Sequence, residues 1–208
     1  MDPAQGETVK SNQALEATAR ASYEALARDD WGRKSLSGHE RDRFFLSRRG
    51  QQFTDLSLLS GADHQGDGRA AAFLDYNRDG LTDIAVANTN KPTLTLFRND
   101  LESSGGVIAI RLTGGAGMNA DAIGARLTVK TAARSIVREL HCGEGNAAQN
   151  SKILLIATGG SVAESLTVLW PNGQRTEIPG PIANDTLLSI SPAGVKASVR
   201  WRPAAANP

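Results

Sequence analysis

Short apolar runs, alternating with polar residues, fill most of the chain, and this period of two predicts strands. Residues 44–46 and 52–56 read as two strands around a turn at Arg48-Arg49-Gly50. Residues 93–97 and 107–112 follow, with Asn99-Asp100 and residues 103–106 as breakers between them. Residues 125–130 alternate cleanly and predict a half-exposed strand, with residues 135–140 as its hairpin partner. A further hairpin is predicted by residues 166–170, Pro171-Asn172-Gly173-Gln174 and residues 175–178, because Asn-Gly accepts the positive φ angles of a tight turn. Residues 186–190 close the pattern, and the chain beyond Pro192 reads as a poorly ordered tail. Helical spacing holds over residues 11–28, where Leu15, Ala19, Ser22 and Leu26 recur and Ser11 or Asn12 can cap the start. Its thin apolar face must pack on something, either its own domain or a partner.

One stretch departs from alternation. Asp75-Tyr76-Asn77-Arg78-Asp79-Gly80-Leu81-Thr82-Asp83 places oxygen-bearing side chains at positions one, three, five and nine, with glycine at six. That spacing suits a loop wrapped around a hard cation: Asp75, Asn77, Asp79 and Asp83 through their side chains, Leu81 through its carbonyl. Gly80 supplies the backbone freedom the turn needs. An EF-hand would require a bidentate Glu at position twelve, where Val86 stands, and its flanks would be helices. Here Ala72-Phe73-Leu74 and Ile84-Ala85-Val86-Ala87 are of strand length, so a Ca2+ loop between two strands is expected. The competing reading is a metal-free turn, since Asp, Asn and Gly are ordinary turn residues. Magnesium fits less well, because it takes few carboxylates and keeps its waters. Upstream, Asp63-His64-Gln65-Gly66-Asp67-Gly68 imitates the spacing, but its ninth position is Ala71, and it reads as a turn.

Composition changes this picture little. The 208 residues carry a net charge of +1, so no general electrostatic footprint for nucleic acid is present. Twenty-one glycines with only 5% aromatic residues suit a β protein rich in turns. The single cysteine, Cys142, excludes an internal disulfide. No stretch approaches the roughly 20 apolar residues of a membrane-spanning helix, and residues 1–10 do not read as a signal peptide.

The cation loop, followed by Asn119-Ala120-Asp121-Ala122-Ile123-Gly124-Ala125-Arg126, Gly143-Glu144-Gly145 with Gln149-Asn150-Ser151, and Trp170-Pro171-Asn172-Gly173, resembles the ASPIC/UnbV domain preceded by an FG-GAP (VCBS-type) repeat, as in the cartilage acidic protein-like family. The lead-in at residues 37–46 and 66–70 is similar to that repeat as well. Two features depart from the family: Ile156-Ala157-Thr158-Gly159 stands where an aromatic-Gly-Leu-Gly stretch is usual, and the further repeats are missing. A propeller needs about four blades or more. The resemblance therefore implies a mainly β chain: an FG-GAP blade-like β unit packed on an ASPIC/UnbV β-sandwich, with one N-terminal helix. The implied divisions are residues 1–30 (helical segment), 31–104 (calcium-loop repeat), 105–192 (ASPIC/UnbV domain) and 193–208 (C-terminal tail).

For function, the resemblance implies calcium binding and extracellular interactions. The expectation is a non-catalytic calcium-binding protein-interaction module, periplasmic, cell-surface or secreted, binding other proteins as part of a multi-subunit or membrane-associated assembly. The helix at 11–28 and the basic loop from Arg41 to Arg49 are its expected docking elements. Carbohydrate binding is the alternative and would need exposed aromatic platforms among Trp31, Trp170 and Trp201. An enzyme is expected least. His141 and Cys142 would point to opposite faces of a strand, Cys142 reading as a small buried hydrophobe and His141 as a surface residue at a strand end. His39 and His64 stand alone in loops, and the Gly114-Gly115-Ala116-Gly117 loop lacks the lysine and helix start of a phosphate loop, so it reads as a connection.

Overall fold

The computed structural model describes residue 17 and residues 40–48, 50–102 and 105–202. Apart from residue 17, the helix expected over residues 11–28 lies outside them, as do Trp31, His39 and Arg49. The described residues are mainly β, with two four-stranded sheets, a three-stranded sheet and a two-stranded hairpin. The chain divides into two compact units, Met1–Gly68 with Asn88–Leu94, and Arg69–Ala87 with Thr95–Pro208.

In the first unit β1 (Phe45–Arg48) pairs antiparallel with β2 (Gln52–Asp55), and Gly50 at φ 73° makes the turn. A single helical turn, α1 (Ser57–Ser60), follows and ends at Gly61 in the left-handed region. Four residues are too few to leave a helical period in the sequence, so α1 was not predictable from it. Asp55 holds this corner. Its Oδ1 accepts hydrogen bonds from the Ser57 amide at 2.9 Å and the Ser57 hydroxyl at 2.5 Å, while Ser57 Oγ accepts from the Phe44 amide.

The second unit contains a sandwich. One sheet runs β11 (Arg175–Ile182), β10 (Ala163–Leu169), β7 (Arg126–Thr131), β8 (Ser135–Glu139); the other runs β13 (Gly194–Arg200), β12 (Thr186–Ser191), β6 (Val107–Leu112), β9 (Ile153–Ala157). All pairings within these two sheets are antiparallel except β12 with β6. Inward residues of both sheets form one core, including Ile108 and Ile110, Leu127 and Val129, Ile156, Leu166 and Val168, and Ile190. β6 is buried on both faces: Val107 and Ala109 join Trp201 in a second cluster on the side away from that core. This outer cluster also takes up Ile153, Leu155 and Leu187.

Two features correct the sequence reading. Within the expected tail, residues 193–202 are not loose: Gly194 at φ 112° turns the chain back, and β13 pairs with β12 along its length, while residues 203–208 lie outside the described residues. Val195, Ala197 and Val199 had carried the strand period, but the proline just before them read as an end. β9 was also missed, because Ile153-Leu154-Leu155-Ile156-Ala157 is a continuous apolar run without alternation. The Trp170–Gln174 hairpin forms as expected, although Gly173 alone takes the positive φ.

Candidate cation-binding loop

The nine-residue loop joins β3 (Gly68–Leu74) to β4 (Asp83–Asn88), neighbours in a three-stranded sheet with β5 (Leu94–Phe97). Strands on both sides set it apart from an EF-hand. Its carboxylates organise the turn through backbone donors. Asp75 Oδ1 accepts from the Asp79 amide at 3.1 Å, and Oδ2 from the Gly80 amide at 2.9 Å. Asn77 Oδ1 also accepts from the Asp79 amide, its Nδ2 donates to Asp79 Oδ2, and Asp79 Oδ1 accepts from the Leu81 amide. Arg78 at φ 61° and Gly80 at φ 85° give the loop its two left-handed residues.

Asp83 closes the loop and is 0% exposed. Its Oδ2 accepts from the Tyr76 amide at 3.0 Å and its Oδ1 from the Asn99 amide at 2.8 Å, so it ties the loop to the end of β5. Among the described residues, no Lys, Arg or His forms an ion pair with Asp75, Asp79 or Asp83. Three carboxylates in nine residues, one of them fully buried, are thus met by N–H donors and not by ion pairs among the described residues. Among the described residues, no three His, Cys, Asp or Glu side chains converge as ion ligands, because each of these carboxylates is turned to its own backbone donors. The donor chemistry nonetheless fits calcium: all-oxygen, three carboxylates, one amide and the Leu81 carbonyl. A carboxylate oxygen that accepts one N–H also retains a second lone pair.

The loop is fixed from outside by residues that the sequence did not link to it. Trp201 Nε1 donates to Asp75 Oδ2 at 2.8 Å, from a ring only 6% exposed. The Arg78 guanidinium lies 5.5 Å from the centroid of the same ring. Gly80 lies so close to Val107 and Arg202 that a Cβ there would sit 2.7–2.8 Å from their side chains. Arg202 in turn pairs with Asp185 at 3.1 Å and donates to the Gly105 carbonyl. No local signal announces these contacts, since Trp201 and Asp75 are 126 positions apart. Beside Asp75 and Trp201 is a cavity of about 220 Å3 bordered by Phe73, Arg138, Asn150 and Leu155.

The other candidates are placed as follows. Cys142 is exposed, not buried: Leu140 takes the last inward position after β8, and Cys142 lies beyond it in a loop with His141, which is exposed as expected. Trp170 is 1% exposed and donates to Thr176 Oγ1, so neither Trp170 nor Trp201 offers an exposed ring face for a sugar. In the upstream imitation loop, Asp67 is buried, with its amide donating to Asn90 Oδ1, and Asp63 pairs with Arg41. Arg43 pairs with Asp55 and Arg48 donates to Thr54, so the described cations of the basic loop have partners within their own unit. The Gly114–Asn119 connection is closed by Asn119, whose side chain both accepts from the Ile123 amide and donates to its carbonyl. A Cβ on Gly114 would fall 1.9 Å from the Asn119 carbonyl oxygen.

A mixed β-sandwich with an acidic loop seated on the outer face of one sheet defines the class of this protein. Residues 115–196 match the family model described as ASPIC and UnbV, from the glycine-rich connection to the start of β13. Asn119–Arg126, Gly143-Glu144-Gly145 and Trp170–Gly173 all lie inside the matched segment, whereas the loop at 75–83 lies outside it. Comparison with curated proteins gives no match. Among the described residues, no helix is long and apolar enough to cross a membrane.

Proposed function

We propose that this chain is a non-catalytic, calcium-binding interaction module that works outside the cytoplasm as a subunit of a larger surface or membrane-associated protein assembly. The single observation that carries calcium is the loop from Asp75 to Asp83: three carboxylates, one fully buried, with no cationic side chain paired to them among the described residues. Asp75, Asn77, Asp79 and Asp83 would hold the ion through side chains and Leu81 through its carbonyl; the ion would neutralise the crowded charge and join the ends of β3 and β4. The strand flanks of the loop favour an FG-GAP-type repeat in front of the sandwich, in the manner of the cartilage acidic protein-like family. The match of residues 115–196 to ASPIC and UnbV supports a surface interaction role. Cys142 lies exposed in a loop beyond β8 with His141 exposed beside it, which favours two surface residues over a buried nucleophile and base.

The test is retention of a stoichiometric protein from an envelope extract on the immobilised full chain. Retention in calcium, and its loss in chelator and with Asp79→Ala, is expected. Retention on polysaccharide instead, or equal protein capture with and without calcium, would overturn the proposal.

A further inference from the structure

We propose that the cavity beside Trp201 binds a small carboxylate with an apolar body, held at its charged end by Arg138. The inference does not depend on calcium, since Asp75 only borders the cavity. The site lies where both sheets of the sandwich end: β8 is the edge strand of one and β9 the edge strand of the other. Arg138 pairs in register with Leu127, and Ile136 with Val129, so Arg138 shares the core-facing side of β8 with the buried Ile136. Arg134, four residues earlier, reaches from one sheet to the other and donates to the Ala157 carbonyl of β9 at 3.1 Å. Arg138 has no such partner. Its guanidinium donates to the carbonyl of its own neighbour, Val137, and among the described residues no carboxylate pairs with it.

A cation on the core side of an edge strand, exposed and without a counter-charge, either guards the edge against pairing with another chain or receives an anion. The walls beside Arg138 favour the anion. Phe73, Leu154, Leu155 and Trp201 line the space of about 220 Å3, and Phe73 is 44% exposed there, free to cover an apolar group. Ser151 Oγ accepts from the Ile153 amide and so keeps its own hydrogen to donate. Asp75 is the one carboxylate among these walls, and its oxygens are taken up by three N–H donors, those of Asp79, Gly80 and Trp201. The volume is below the ~300 Å3 at which pockets begin to take drug-sized ligands, so the occupant is small. A guanidinium meets a carboxylate through two parallel N–H donors, which gives the site its preference for that group. A free acid and the last residue of a polypeptide with an apolar side chain present the same chemistry.

NMR titration of the isotope-labelled full chain in chelator tests this, with isocaproate as the free acid, N-acetyl-leucine as the chain end and N-acetyl-leucine amide as the uncharged control. The expected result is saturable shifts of the Phe73, Ser151 and Leu155 amides with at least one acid. Binding should be about tenfold or more weaker for the amide, and for the acid on Arg138→Gln, the loss of one charge-assisted contact. Tighter binding of N-acetyl-leucine than of isocaproate assigns the site to a chain end, and the reverse order assigns it to a free acid. Equal affinity for acid and amide, equal affinity of the two proteins, or no saturable shift at millimolar acid overturns the site and leaves Arg138 as an edge guard. If Arg138→Gln does not fold, the comparison of acid with amide on the unmutated chain decides.

Discussion

Asp83 and Asp79 are both carboxylates of one loop, yet they should fail in different ways. Asp83 is fully buried and both of its oxygens serve backbone amides, those of Tyr76 and Asn99. Asp83→Asn preserves the shape but replaces one acceptor by an NH2 group, which must then face one of those two buried N–H donors. A buried donor left without an acceptor costs about 1–3 kcal/mol, and the second hydrogen bond loses its charge assistance, for a total of about 2–3 kcal/mol. For a chain of this size that corresponds to a melting temperature lower by about 5–10 °C. The loss needs no metal, so it should appear in chelator. Asp79 is only half buried, and its Oδ1 satisfies a single amide, that of Leu81. Asp79→Ala should therefore melt within about 2 °C of the unmutated chain in chelator. Circular dichroism melts of the three proteins with chelator present give the comparison. An Asp83→Asn melting point as close to the unmutated value as that of Asp79→Ala would refute the argument that Asp83 is a structural tie.

Three further outcomes follow from particular contacts. Gly80→Ala should cost about 2–3 kcal/mol, combining the left-handed φ with a Cβ pressed on Val107 and Arg202, and thermal melting against the unmutated chain checks it. Cys142 should react with a thiol reagent in the native protein without denaturant; labelling only after unfolding would contradict its exposure. The Asp55 carboxyl is held below the ordinary aspartate value, first by the Ser57 hydroxyl, then by the Ser57 amide, with Arg43 adding to it. Its contribution to stability is present above the unfolded value and is lost as pH falls through the lower folded value. Ser57→Ala should move the Asp55 midpoint upward in a carboxyl NMR titration, and an unmoved midpoint would exclude the hydroxyl as its cause.

The sandwich was legible where one face of a strand meets the core and the other meets water. β7, β8 and β10 show that alternation, and their inward residues Leu127, Val129, Ile136, Leu166 and Val168 are buried. Legibility failed where both faces are covered or where a local breaker misleads. β9 is an unbroken apolar run, and β13 follows a proline that serves a turn. Cys142 was misjudged because residue type suggested burial, whereas its place past Leu140 decides exposure. The acidic loop was legible as spacing, since its ligand-type residues are close in sequence. Its support was not: Asn99 and Trp201 reach Asp83 and Asp75 only through the fold, and non-local contacts leave no periodicity to read. Trp201 looked like part of a tail until β13 placed it under the loop.

The most direct test of the calcium loop is the melting temperature of the unmutated full chain in calcium and in chelator. With a dissociation constant on the order of 10 μM and ~1 mM calcium, linkage gives roughly 2.7 kcal/mol of stabilisation. That corresponds to a melting temperature higher by about 5–10 °C in calcium. Asp79→Ala should lose most of this gain, and Asp67→Ala in the upstream turn should keep it. Equal melting temperatures for the unmutated chain in the two conditions would contradict the account and leave Asp75 to Asp83 as a metal-free turn.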